Sequence, residues 1–394
     1  IHREENTLRC RFARASLTVA APAPDLLRVS WEPEAEAPPQ APEPVRDGAE
    51  LRTGRLLCRV FPDGRIAVLD GEGAVLAEEA APVGWTANGR ALLRWRIPPD
   101  AHFYGLGERA APLDLRGGVY INWNTDPRTY GPGDDPLYLC VPFLLMLHSE
   151  GRRALGLLLE NSTRSRFDLG RAEPETVTLE VEDRAVAYRI FYGPTVSRVL
   201  ERFTEETGRH PLFPRWALGY HQCRWSYYPE ERVRRLARDF RETHRVPCDG
   251  IHLDIHYMEG YRVFTWDPRR FPDPKRLIAD LHAQGFKVIT IIDPGVKADR
   301  NYRVFQDGLR RGMFCRYPDG RVFIGPVWPG NCAFPDFTDP RVREWWGDLH
   351  RGLLEVGVDG IWDDMNEPAL FGEDDATIPG PVRHNLDGAG GDHR

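Results

Sequence analysis

Long apolar runs are missing from this chain. No stretch of about 18 apolar residues occurs in it, so no membrane-spanning helix is expected. Paired cysteines are missing too. The seven present, Cys10, Cys58, Cys140, Cys223, Cys248, Cys315 and Cys332, are odd in number, scattered, and never spaced C-x-x-C. That favours reduced thiols in a cytoplasm over a disulfide framework or a zinc site. An excess of positive charge is also absent. The formal net charge of −7 argues against nucleic acid as a partner. The 41% apolar and 28% charged content is ordinary for a globular protein, and 394 residues suffice for two or three domains. No cofactor motif stands out. A start at Ile1 rather than Met leaves a leader open, and composition leaves a homo-oligomer open.

Helical periodicity is scarce before residue 194. Residues 1–193 alternate short Val-, Leu-, Tyr- and Phe-rich runs with turn signals, which predicts a β-sandwich. Strands are expected at 16–19, 56–61, 65–69, 118–123, 139–147, 154–160, 176–181 and 185–192. Pro62-Asp63-Gly64 reads as the turn of a hairpin, because Gly supplies positive φ without steric cost. The Pro-rich, charged stretch 31–48 reads as a loop. Residues 194–212 form a connector, helical over 194–208 with Val196, Val199, Leu200 and Phe203 on one face.

Residues 213–394 change to strand–helix alternation. Strands are expected at 216–221, 250–255, 286–292 and 358–362, and helices at 229–243, 274–284 and from 340. Asp273-Pro274 and Asp339-Pro340 pair an N-cap with proline at the first helical position. This pattern predicts a parallel sheet. Four strands make half of an eight-stranded barrel, and the tail 388–394 is a Gly-rich loop, so the sequence is expected to be a fragment of a longer protein.

Two strand ends carry chemistry. The run Gly360-Ile361-Trp362-Asp363-Asp364-Met365-Asn366-Glu367-Pro368 ends a buried strand in carboxylates, an amide and a Trp, at the edge where parallel barrels keep active sites. Strand alternation over 252–256 would set His252, Asp254 and His256 on one face. That trio fits a metal site, sugar recognition by the carboxylate, or an ion-paired lining. Among the aromatics, Trp266, Trp345 and Trp346 read as core. Trp328, Trp362 and Phe371 lie at or beyond strand ends, where a flat ring can stack on a pyranose.

Trp362-Asp363-Asp364-Met365-Asn366-Glu367 resembles the W-x-D-M-N-E nucleophile signature of glycoside hydrolase family 31, the α-glucosidase family. Other segments agree with the family in order. They are Phe103-Tyr104-Gly105-Leu106-Gly107-Glu108, Ala217-Leu218-Gly219-Tyr220-His221 with Arg224-Trp225, Leu253-Asp254-Ile255-His256-Tyr257-Met258 with Phe264-Thr265-Trp266-Asp267-Pro268 and Phe271-Pro272-Asp273-Pro274, Ile289-Thr290-Ile291-Ile292-Asp293-Pro294, and Val327-Trp328-Pro329-Gly330. His256 stands where many members carry Asp. The resemblance implies an N-terminal β-sandwich followed by the first half of a (β/α)8 barrel.

It further implies a retaining α-glycosidase whose two carboxyl groups lie about 5 Å apart. Asp364 would be the nucleophile, forming a covalent glycosyl–enzyme that water hydrolyses. Asp254 would bind sugar hydroxyls, Ile292 and Trp328 would line the same subsite, and Asp126 would be lent by the sandwich. Trp362, Met365 and Phe371 would complete the pocket, with Asn366 and Glu367 orienting the loop. Oligosaccharides or α-glucosides would be the substrates and glucose the sugar released, with α-xylosidase, α-galactosidase and transglucosidase as alternatives inside the family. Outside it, the alternative is a metal-dependent barrel hydrolase using His252, Asp254 and His256. The family's acid/base Asp is expected beyond residue 394. Residues 1–394 alone are therefore expected to give no steady turnover of an aryl α-glucoside, and steady turnover would overturn that expectation.

Overall fold

The computed structural model describes residues 1–12, 15–33, 48–127, 129–148, 153–372 and 377–393. Residues 34–47 of the expected loop 31–48 lie outside this set. The chain divides into two compact units, Ile1–His210 and Pro211–Arg394.

The first unit is a β-sandwich of two eight-stranded antiparallel sheets. One sheet runs in the order His2–Glu4, Thr7–Arg11, Ala15–Ala23, Leu26–Pro33, Val186–Gly193, Arg153–Leu159, Cys140–His148, His102–Gly107. The other runs Val119–Asn122, Ser165–Leu169, Thr176–Val181, Ala91–Arg96, Val75–Trp85, Ile66–Asp70, Leu56–Val60, Ala49–Arg52. Alternation builds the core: Ala15, Leu17 and Val19 point inward while Ser16 and Thr18 do not. Leu17, Val29, Val60, Leu93, Phe167 and Tyr188 meet in one buried cluster. The expected hairpin is present. Phe61 N donates to Arg65 O at 2.8 Å, and Gly64 takes φ 94°.

The helix read as a connector is α1, Val196–Thr207, capped by Thr195. It packs on the sandwich. Phe203 stacks on Phe143 at 4.1 Å and meets Phe191 edge-on at 5.9 Å. Arg198 and Arg202 reach the buried carboxylate of Asp25 at 2.9 and 2.8 Å.

The second unit holds a four-stranded parallel sheet in sequence order: His221–Gln222, Gly250–Leu253, Lys287–Ile292 and Gly360–Asp363. Helices α2 (Glu230–Arg238), α3 (Pro274–Ala283), α4 (Arg303–Arg311), α5 (Pro340–Leu349) and α6 (Arg351–Glu355) accompany it. Asp273 and Asp339 cap α3 and α5 as expected. Trp345 and Trp346 are buried, and Trp266 packs on Tyr257 at 4.7 Å. Helix α4 was not expected from the sequence. Nor was the three-stranded antiparallel arm, Val296–Lys297, Gly330–Ala333 and Ile324–Val327, that follows the third strand.

Two strands are shorter than expected. Residues 216–221 form no six-residue strand. Pro214 starts a 3-10 turn over Arg215–Leu218, closed by Ala217 N to Pro214 O at 2.9 Å, and only His221–Gln222 pairs. Leu218 is 73% exposed, so the apolar run was not a buried one. The second strand stops at Leu253, because Asp254 accepts from Ile255 N at 2.6 Å and opens another 3-10 turn, Ile255–Tyr257.

Asp359 locks the third strand to the fourth. It accepts from Lys287 Nζ at 2.8 Å and Val288 N at 2.9 Å, and its Oδ2 lies 2.6 Å from His282 Nε2. Burial opposes its charge, but these three partners outweigh burial and hold its carboxyl below the usual range.

Glu79 sits fully buried in the sandwich core, accepting from Ile66 N at 2.8 Å with the Tyr188 hydroxyl at 3.3 Å. Burial pushes its carboxyl up to about 8. The folded state then holds a proton that the unfolded chain loses near its ordinary value, so sandwich stability falls as pH rises between about 4.5 and about 8. Glu79→Gln copies the protonated acid. Its thermal unfolding is expected to be nearly flat across this window while the wild type declines. Parallel curves for the two proteins would refute the assignment.

Candidate active site

The site grows from the ends of the parallel strands. In the third and fourth strands Ile289 pairs with Gly360, Ile291 with Trp362, and Ile292 with Asp363. The chain turns immediately after this ladder, and Asp364 N donates to Ile292 O at 3.2 Å. The turn is tight: Met365 takes φ 60°, a left-handed conformation uncommon for such a side chain, and Ala369 N returns to Met365 O at 3.1 Å. Met365 is buried with Val327, Cys332, Phe334 and Leu370, which fixes the loop from below.

Asp254 leaves the second strand and is 8% exposed. Burial pushes its carboxyl up, the Ile255 amide pulls it partly back, and the charge of Asp364 raises it again. Asp293 follows the third strand directly and is 4% exposed. Burial, then Asp364, then Asp254, push it up to about 8. Asp254, Asp293 and Asp364 are thus one electrostatically coupled group. The sequence had marked the first and third. Asp293 was passed over, although an Asp closing an apolar strand was the same signal in all three strands.

Aromatic rings edge the group. Trp328 is 44% exposed and meets Phe371 edge-on at 5.0 Å. Phe371 N donates to Pro326 O at 2.9 Å, tying the loop of Asp364 to the arm. Trp225, 62% exposed, lies 6.3 Å from Trp328 and 5.4 Å from His256. Trp362 meets His252 edge-on at 5.9 Å. Ile292 is buried, and its carbonyl holds Asp364. Trp225 is the aromatic that sequence reasoning left unassigned.

The metal-ligand arrangement of His252, Asp254 and His256 does not form. Period-two alternation ends at Leu253, so the three side chains diverge. His252 Nε2 faces His221 Nδ1 at 3.2 Å. His256 stacks flat on Tyr228 at 4.6 Å, with Nε2 3.3 Å from the Tyr261 hydroxyl and a buried Nδ1 that has no hydrogen-bond partner among the described residues. Burial, helped by Arg270, pushes His256 down and keeps it neutral. Among the described residues, the one group of three with metal-ligand types close together is Cys315, Asp336 and His384. There Asp336 also accepts from Thr338 N, Thr338 Oγ1 and Asn385 N, which makes it a hub holding the tail.

Asp126 belongs to the first unit, half-buried in the loop after Val119–Asn122. Arg109 organises that loop. Its guanidinium, 4% exposed, donates to Ile121 O at 2.7 Å and binds Asp135 and Asn122. Asn124 Oδ1 accepts from Cys140 N at 2.7 Å.

Residues 210–393 match the family model described as the glycosyl hydrolases family 31 TIM-barrel domain, and residues 3–168 match that of the glycosyl hydrolase 31 N-terminal galactose mutarotase-like domain. Alpha-glucosidase 2 of Bacillus thermoamyloliquefaciens is 44% identical over 332 residues, 84% of this chain and 42% of the relative. The alpha-glucosidase of Saccharolobus solfataricus is 41% identical over 270 residues, 68% of this chain and 38% of the relative. A family 31 dextranase of Flavobacterium johnsoniae, solved with glucose, superposes with a TM-score of 0.85 at 27% identity, covering 96% of this chain and 48% of its own. The chain thus spans less than half the length of these relatives. The strand order and the sandwich agree with an N-terminal domain and the first half of a (β/α)8 barrel.

Arg109→Met leaves the Asp135 carboxylate buried without its cation, and is expected to destabilise the first unit by about 3–5 kcal/mol in denaturant unfolding. The double variant with Asp135→Leu should recover much of that loss. A midpoint unchanged in Arg109→Met would show that the pair does not organise the loop.

Proposed function

Because this chain belongs to glycoside hydrolase family 31, we propose that the intact protein is a retaining α-glucosidase that releases terminal α-linked glucose from oligosaccharides. The observation that carries this reading is the placement of Asp364. It stands at the C-terminal edge of a parallel sheet, held by the Ile292 carbonyl, in one electrostatic group with Asp254 and Asp293. Two relatives at 44% and 41% identity bear the name α-glucosidase, which favours glucose over xylose and hydrolysis over transfer.

Asp364 attacks the anomeric carbon, the bond to the leaving oxygen breaks, and a glycosyl ester forms. Water then attacks the same carbon and Asp364 departs as carboxylate. Asp254 takes sugar hydroxyls, a role suited to a buried carboxyl with one backbone donor. Trp328 and Phe371 supply a wall for the ring, while Trp362 and Met365 keep bulk water from the ester. Ile292 fixes the nucleophile through its carbonyl. Asp126 is assigned to the sugar-binding set on the family resemblance. The proton donor to the leaving oxygen is sought in the part of the relatives' length that this chain does not span. The seven unpaired thiols support a reducing, cytoplasmic location.

Asp364→Ala in the intact protein is expected to lower kcat on an aryl α-glucoside by roughly 10⁴-fold. The first sugar seen by NMR with the active enzyme should be the α-anomer. Undiminished turnover in the variant, or a β-anomer as first product, would refute the proposal.

A further inference from the structure

Asp293 has no role in the mechanism above, yet it is more buried than Asp364, Asp254 or Asp126, which have one. It follows Ile292, whose strand partner is Asp363, the residue before Asp364. In a parallel ladder the residues following a pair leave the sheet at the same level. Asp293 and Asp364 are therefore neighbours by register, joined through Ile292 O and Asp364 N. Asp293 is 4% exposed, and its Oδ1 is buried with no hydrogen-bond partner among the described residues.

A carboxyl in this position needs a partner or a proton. The charges that act on it are those of Asp364 and Asp254, both negative. Two other titratable groups face it, Tyr257 from the turn after the second strand and Cys332 from the arm. Burial raises both, so both stay neutral at ordinary pH. Among the described residues, no cation counts among these influences.

We infer that Asp293 is a positioning residue of the active site, a neutral acid beside Asp364 whose carboxyl, unpartnered at Oδ1 among the described residues of the free site, donates its O–H to the Asp364 carboxylate once substrate is bound. This rests on the assignment of Asp364 as nucleophile and extends it. The proton is held and not transferred. When Asp364 attacks, its negative charge is consumed and the bond from Asp293 weakens. When water displaces Asp364, the charge returns and the bond strengthens, so Asp293 assists departure of the nucleophile from the ester. Ionisation of Asp293, at about 8, would place two carboxylates side by side and remove that assistance.

The test is kcat against pH for the intact protein on 2,4-dinitrophenyl α-glucoside. Its leaving group needs no acid, so hydrolysis of the ester limits the rate. Wild-type kcat is expected to fall as pH rises through about 8. Asp293→Asn keeps a donor but cannot ionise. It should stay within about tenfold of wild type at neutral pH and lose the alkaline fall. Asp293→Ala should lose roughly 100-fold in kcat with little change in KM. An alkaline fall that persists in Asp293→Asn, or equal kcat in the Asn and Ala variants, would overturn the inference. Failure of the glucosidase assignment looks different: no turnover by the wild type, or none lost in Asp364→Ala. Should the variants not fold, carbonyl NMR of wild type and Asp364→Asn serves instead. An aspartate titrating near 8 in wild type, and lower in Asp364→Asn, supports the inference. Only ordinary carboxylate titrations, near about 4, would refute it.

Discussion

The candidate site hangs on the register between two parallel strands. Ile289–Ile292 and Gly360–Asp363 pair residue for residue, and the ladder is closed at both ends. At the entry, Asp359 collects Lys287, Val288 and His282. At the exit, Ile292 O receives Asp364 N. A slip of one residue would turn the strand faces over and carry Asp364 away from the carboxyls it is coupled to. The distance between chemically working groups is therefore set by backbone hydrogen bonds, which are short, directional and hard to stretch.

Much of the fold was legible because its periodicities are clean. Strands such as Thr176–Val181 and Ile66–Asp70 are β-branched or apolar runs between turn residues, and their bounds were read within a residue. The caps at Asp273 and Asp339 are local chemistry and survive any tertiary context. Errors came where a short polar or glycine contact outranks the apolar pattern. Residues 216–221 look like a strand by composition, but Pro214 imposes a turn. Gly219 then packs against Asp249, where an added Cβ would lie 1.9 Å from a carboxylate oxygen. The antiparallel arm and α4 were missed because their apolar residues are few and spread over turns.

The candidate site was half legible. Asp364 and Asp254 stood out because each is a carboxylate at a strand end inside a distinctive motif, and the structure brings them into one electrostatic group. The His252, Asp254, His256 alternation failed for a definite reason: a single side-chain cap at Ile255 N ends the strand two residues early. The place of Asp293 after an apolar strand is a sequence signal shared with Asp254 and Asp364; its burial beside like charges is what the sequence does not show. Trp225 was quoted only as part of a first-strand motif. Its exposure beside Trp328 depends on the fold, which brings together the residues after the first parallel strand and those at the tip of the antiparallel arm.

The sandwich closes late in the chain. Its strand Val186–Gly193 lies in the middle of a sheet, between Leu26–Pro33 and Arg153–Leu159, and α1 behind it grips Asp25 across 173 residues. On a ribosome, the strands made first must wait with an open edge until nearly the whole of the first unit has emerged, and an edge held open is a place for unwanted pairing. Vectorial synthesis thus exposes this protein to misassembly early, and the pair of arginines on α1 acts as the clasp that ends the exposure.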